Sequence, residues 1–108
     1  MYYPVSAHLI EFLILSVLQK EDSYGYEISR TVKLVADIKE STLYPILKKL
    51  EKNGFMTTYT KEYRGRKRKY YSLTDVGVEE LKFLNSEWIS YRDTIDGIVE
   101  GRIKNDER

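Results

Sequence analysis

The sequence contains no cysteine and a single histidine, His8. That removes a thiolate nucleophile, a disulfide framework and a Cys/His zinc site built within one chain. It also lacks a long apolar run. The longest stretch, Leu9 to Leu18, is broken by Glu11 and Ser16 and falls short of the ~20 residues needed to span a bilayer. No basic residues precede that run, and Gln19-Lys-Glu-Asp follows it where a small-residue cleavage site would stand, so neither a membrane anchor nor an export signal is expected. The default compartment is the cytoplasm. With 108 residues, 42% hydrophobic and 32% charged, the chain reads as one compact soluble unit with a modest core, too small for a two-domain enzyme. No acid/base pair converges anywhere, so neither catalysis nor a cofactor is expected.

Net charge of one sign is nearly absent as well, at +1, yet the charges are unevenly placed. From Lys48 to Tyr70 nine basic residues face two acidic ones, a local +7 that leaves −6 on the rest. A solvated charged face is the ordinary reading of a lysine cluster on a helix. The tight run Arg64 to Lys69 favours the other, a patch that attracts a polyanion, because phosphate neutralisation with counterion release is the main sequence-independent source of nucleic-acid affinity.

Apolar positions at Leu9, Ile10, Phe12, Leu13, Ile14, Leu15, Val17 and Leu18 cover most of the circumference of a helix over 6–19, as expected of a buried central element. His8 stands at its start with no role. Asp22 or Ser23 can cap a second helix over about 23–35, with Tyr26, Ile28, Val32 and Val35 on its apolar side. Gly25 in its first turn either marks a place where another backbone passes close by or is a tolerated flaw in the helix. Ser41 is a suitable N-cap for a third helix running to Asn53, with Gly54 as its stop. Leu43, Ile46, Leu47 and Leu50 form one stripe of that helix. Ser41, Pro45, Lys48 and Lys52 lie opposite, with Tyr44 and Lys49 flanking. Pro45, near the first turn, removes one hydrogen bond at little cost.

Phe55–Glu62 and Arg68–Leu73 are rich in aromatic and β-branched residues and read as two strands with a hairpin tip at or beside Gly65. Alternation sends one of Tyr70 and Tyr71 inward and the other out. Thr74 and Asp75 open a fourth helix to about residue 100. Leu81, Leu84, Trp88, Tyr91, Ile95 and Ile98 step along it by 3, 4, 3, 4 and 3, a heptad seam. At 1.5 Å per residue this helix is ~39 Å long, more than the ~30 Å breadth of such a domain. Part of the seam overhangs, and a second copy of the chain covers it more readily than its own domain does. Gly97 and Gly101 weaken the helix end, and the residues from Lys104 onward are expected to fray.

The order of elements is that of a winged helix-turn-helix, mostly α with a small β-hairpin: a winged-helix domain over 1–73 and a long C-terminal dimerisation helix over 74–108. In that architecture the third helix enters the major groove and the hairpin reaches the adjacent backbone. Tyr24-Gly-Tyr-Glu-Ile, Ser41-Thr-Leu-Tyr-Pro-Ile-Leu-Lys-Lys-Leu-Glu-Lys-Asn-Gly and Arg66-Lys-Arg-Lys-Tyr-Tyr-Ser-Leu-Thr-Asp-Val-Gly carry a further signal. Through these segments, and over about residues 8–98, the chain resembles the PadR family of bacterial transcriptional regulators. Ser41 stands where family members often carry glycine, a departure that keeps a capping residue.

The resemblance implies a homodimeric repressor of double-stranded DNA with a pseudo-palindromic operator. It places Thr42, Tyr44 and Lys48 in the recognition helix and Arg64 to Lys69 in the wing. With the basic stripe, the candidate DNA contacts are Ser41, Thr42, Tyr44, Lys48, Lys49, Lys52, Arg64, Arg66, Lys67, Arg68 and Lys69. The six seam residues are the candidate dimer interface. With a single helix after the wing, the chain is similar to the short members of the family, some of which bind planar aromatic compounds at that interface. Trp88, mid-seam, is the candidate effector contact, and a plain interface anchor is the alternative reading. A protein-interaction winged helix without DNA binding is the alternative for the chain as a whole.

Overall fold

The structure, a computed structural model, describes residues 2–104; residues 105–108, where fraying was expected, lie outside the described residues. Helix α1 spans Ala7–Lys20 and begins where the Ser6 hydroxyl accepts a hydrogen bond from the Leu9 amide at 3.2 Å. Its Ile10, Ile14, Leu15 and Leu18 are buried, which makes α1 the central element its all-round apolar pattern requires.

The next turn differs from the expectation. Ser23 and Tyr24 form a two-residue strand, β1, and helix α2 covers only Gly25–Val32. Tyr24 occupies the N-cap without a side-chain bond. Ser23 does not cap: it is buried, pairs with Tyr71, and donates its hydroxyl to Glu27 Oε1 at 2.6 Å. The tertiary pairing overrides the local capping preference. Ile28 and Val32 face the core as expected, while Tyr26 and Val35 are exposed.

Helix α3 spans Glu40–Lys52. Its N-cap is Lys39, without a side-chain bond, and Ser41 lies inside the first turn, so the expected Ser41 cap is not formed. Pro45 sits two residues further in than expected, inside the helix, where it deprives the Ser41 carbonyl of its partner. At the other end the Phe55 amide reaches the Leu50 carbonyl and the Gly54 amide reaches that of Glu51, a Schellman stop.

Strands β2 (Met56–Tyr63) and β3 (Arg66–Leu73) pair antiparallel from Met56↔Leu73 to Tyr63↔Arg66, and β1 adds to the other edge of β3 in the order β1-β3-β2. The two-residue turn is Arg64-Gly65, both at positive φ (51° and 78°), the type I′ geometry that suits the twist of a hairpin. Residues of one parity, Met56, Thr58, Lys67, Lys69 and Tyr71, share the inner face of the sheet. Tyr59, Lys61, Tyr63, Arg66, Arg68 and Tyr70 share the outer one. Tyr71 is buried and Tyr70 is half-buried on the outer side, as alternation requires.

Helix α4 spans Asp75–Val99. Its start is tied to the end of α3: the Thr74 hydroxyl accepts from the Gly77 amide and donates to the Gly54 carbonyl at 2.6 Å, and the Thr74 amide reaches the Phe55 carbonyl. Leu81 and Leu84 join Ile14, Leu15, Ile28, Leu43, Leu47, Leu50, Met56 and Tyr71 in one core. That core crosses the expected domain boundary at 73/74. Beyond it α4 projects. The molecule measures 65 × 32 × 21 Å with a radius of gyration of 16.7 Å, against about 13 Å for a compact chain of this length. Among the described residues no helix is long and apolar enough to cross a membrane.

Candidate nucleic-acid interface

The outward side of α3 is bounded by two ion pairs. On one edge Lys49 Nζ lies 2.8 Å from Glu11 Oε1 of α1, and His8 Nδ1 lies 3.9 Å from the same carboxylate. On the other edge Glu51 accepts from Thr58 of β2 at 3.2 Å and lies 3.8 Å from Lys69 Nζ of β3. Between these edges Ser41, Pro45, Lys48 and Lys52 are exposed, and Thr42 is exposed just beyond Lys49. On the helical wheel Lys48 and Lys52 follow Glu51 by about 60° and 100°, so the basic stripe begins one row from the residue that anchors the sheet. The basic stripe of the helix therefore adjoins Lys69 of the wing across Glu51.

Tyr44 lies on the sheet side of this stripe. Its ring packs over the first turn of α2, where a Cβ added to Gly25 would meet the Tyr44 hydroxyl oxygen at 2.7 Å. The close approach at Gly25 is thus to a side chain and not to a backbone. The same contact joins the first two sequence segments that carry the family resemblance.

The wing cations divide by strand parity. Lys67 and Lys69 project on the α3 side, Arg66 and Arg68 on the outer side, and Arg64 forms the apex. Of the eight candidate cations, Lys49 and Lys69 are neutralised by Glu11 and Glu51. A phosphate that recruits either must displace a carboxylate. Arg68 is held between two rings, its guanidinium carbon 4.0 Å from the centroid of Tyr24 and 4.6 Å from that of Tyr63. Lys48, Lys52, Arg64, Arg66 and Lys67 have no carboxylate within ion-pair distance among the described residues. These five are the free cations of the interface.

Sequence reasoning missed the ring system on the outer face. Tyr59 stacks on Tyr70 at 5.6 Å and 12°, Tyr24 meets Tyr70 edge-on at 5.6 Å, and Lys61 and Arg64 lie over Tyr70 and Tyr63. The Tyr59 hydroxyl donates to Asp22 at 2.8 Å, and that hydrogen bond is the first cause of a pKa raised above the ordinary tyrosine value. Tyr71 is raised chiefly by burial, then by Glu51 and Tyr44. Arg68 is raised, first by the Tyr70 hydroxyl beside it. Period-two alternation was the signal available for this face.

The seam of α4 divides as well. Leu81 and Leu84 are 4% and 3% exposed and belong to the chain's own core. Their expected place in a dimer interface is corrected: they are buried within the chain's own core, where α4 packs on α1. Trp88 is half-buried, tilted at 6.4 Å over Phe12 of α1 and at 6.3 Å from Tyr91, so its first partner is its own domain. Tyr91, Ile95 and Ile98 are 63%, 42% and 59% exposed. An open cleft of about 610 Å³ lies between the chain start and α4, lined by Pro4, Leu9, Phe12, Leu84, Trp88 and Tyr91 among others.

Comparison with known proteins bears on this geometry. The family model described as transcriptional regulator PadR-like matches residues 14–83. The crystal structure of smu.1704 from Streptococcus mutans UA159 is 67% identical, covers 98% of this chain and 100% of its own, and superposes with a TM-score of 0.94. The negative transcriptional regulator PadR of Bacillus subtilis is 38% identical over 79 residues, which make up 68% of this chain and 43% of that protein. A crystal structure of Bacillus subtilis PadR in complex with operator DNA superposes with a TM-score of 0.63 at 34% identity, covering 75% of this chain and 46% of its own.

Proposed function

Because the chain belongs to the PadR-like family of transcriptional regulators, we propose that it is a cytoplasmic homodimeric repressor that binds a pseudo-palindromic DNA operator. The observation that carries this reading is a set of exposed cations, Lys48 and Lys52 on α3 and Arg64, Arg66 and Lys67 at the hairpin apex, all unpaired with any carboxylate among the described residues, on two elements joined at Glu51. A helix in the major groove and a hairpin on the flanking backbone use these two groups together. Tyr44, seated on Gly25, and Thr42 stand where base edges are read. Dimerisation through Tyr91, Ile95 and Ile98 sets two half-sites about 10 base pairs apart, centre to centre.

The test is selection of DNA by the purified protein at physiological salt, then titration across salt. Alanine at Arg64, Arg66 and Lys67 lowers affinity and makes the slope of log K against log salt shallower by about 0.9 for each phosphate no longer neutralised. An unchanged slope rules out the wing as a phosphate ligand.

The cleft beside Trp88 supports a second element of the reading, release of DNA by a flat aromatic effector at the dimer interface. Its volume, about 610 Å³, lies in the range of small-molecule sites, and aromatic rings line it. Planar cationic dyes are expected to quench Trp88 fluorescence and to weaken the DNA complex. Unchanged fluorescence removes the effector.

A further inference from the structure

The distal hairpin has little to hold it in one direction. β1 pairs only with Tyr70 and Tyr71, so from Lys69 to the apex the wing is a two-stranded ribbon. Such ribbons are marginal on their own. Its link to α3 is Glu51, through Thr58 and Lys69 near the base. On the outer face, however, the rings and cations form an unbroken series. Asp22 bonds Tyr59, Tyr59 stacks on Tyr70, Tyr70 meets Tyr24, Arg68 lies between Tyr24 and Tyr63, and Arg64 at the apex covers Tyr63. Tyr24 is the residue from which α2 starts. Arg68 is therefore the link between the helical body and the ring beside the tip.

We propose that Arg68 is a positioning residue and not a phosphate ligand: gripped between Tyr24 and Tyr63, it fixes the direction of the wing so that Arg64, Arg66 and Lys67 arrive together at the DNA backbone. A planar guanidinium can stack on two rings at once, which a lysine ammonium cannot. Two rings already lie within cation–π distance of the Arg68 guanidinium, at 4.0 and 4.6 Å from its carbon. Holding the ribbon in its bound direction removes an ordering cost from binding.

This rests on the DNA-binding reading, and the experiment separates the two. Arg68→Lys keeps the charge, Tyr63→Leu leaves all charges in place, and Lys67→Gln removes one cation from the inner face. Arg68→Lys and Tyr63→Leu are each expected to lower operator affinity roughly fivefold to tenfold, the scale of one or two cation–π interactions, with the salt slope and the melting temperature unchanged. Lys67→Gln is expected to make the slope shallower by about 0.9.

Hydrogen exchange of the free proteins gives a readout without DNA. Amides of residues 62–68 exchange faster in Arg68→Lys and Tyr63→Leu and at the wild-type rate in Lys67→Gln. Wild-type affinity in Arg68→Lys, or wild-type exchange in both ring variants, overturns the proposal. If no DNA is bound by the wild type, the DNA-binding reading fails while the exchange data still decide whether Arg68 braces the hairpin.

Discussion

The two halves of α4 carry one stripe and meet different fates. Leu81, Leu84, Trp88, Tyr91, Ile95 and Ile98 lie within about 100° of arc on the helical wheel. Toward the N-terminus the stripe is inside the protein, in the common core where α4 packs on α1. Toward the C-terminus it stands free, with Tyr91, Ile95 and Ile98 exposed and Val99 beside them at 79%. A heptad spacing says that something covers the stripe without saying what. The answer is set by where the core of the rest of the chain ends, here between Leu84 and Trp88. A contiguous exposed apolar surface on a helix is a place where another protein surface belongs, and the free half is where the proposed second copy meets the chain.

The sharpest way to break this contrast is at the first turn of α4. A Cβ at Gly77 would stand 1.9 Å from the Phe55 carbonyl oxygen, a backbone atom held by its bond from the Thr74 amide. Gly77→Ala must push α4 off the end of α3, and we expect a loss of ~4 kcal/mol or more, in the range that unfolds a small domain. Urea denaturation checks it. Leu84→Ala follows at ~2–5 kcal/mol, the cost of a fully buried leucine and the cavity left behind. The paired substitution Ile95→Asp with Ile98→Asp tests the other half. It is expected to keep helix content and cooperative unfolding, yet to halve the mass seen by light scattering and to abolish the concentration dependence of the melting temperature. If the Asp variant unfolds the monomer, or Leu84→Ala leaves its stability intact, the two halves of the helix are alike.

The same contrast explains what could be read in advance. The α1, α3, hairpin and α4 segments were legible within one or two residues, because their periodicities are long and their stops, Gly54 and Gly65, are chemically specific. β1 was not legible. A two-residue strand has no pattern of its own and exists only because β3 offers Tyr70 and Tyr71 as an edge. Ser23 carries good capping chemistry that its pairing with Tyr71 overrules, and Ser41 carries it too, yet the helix starts before it. Among the site residues, the exposed stripe of α3 was visible from spacing. The neutralisation of Lys49 by Glu11 was not, since it joins residues 38 positions apart. The separation of Arg68 from Lys67 was within reach, since adjacent strand residues point to opposite faces.

The smallest expected effect comes from two glycines that do one job in different surroundings. Gly54 and Gly101 both sit at positive φ (80° and 76°) with open space where a Cβ would go. Each follows a helix whose end is closed by the same pair of bonds: Phe55 to Leu50 and Gly54 to Glu51 in α3, Arg102 to Gly97 and Gly101 to Ile98 in α4. Alanine in the left-handed region costs ~1–2 kcal/mol at either site. At Gly54 that cost is transmitted to the whole fold, because the Gly54 carbonyl holds Thr74 and with it the start of α4. At Gly101 the last turn can open without disturbing any buried residue except Gly97, over which Ile103 folds back. Gly54→Ala should therefore lower the global unfolding free energy by about the full backbone penalty. Gly101→Ala should leave it within ~0.5 kcal/mol and appear only as faster hydrogen exchange over residues 97–103. Equal losses of global stability would mean that the distal half of α4 folds as part of the core, and that the helix has no boundary near Trp88.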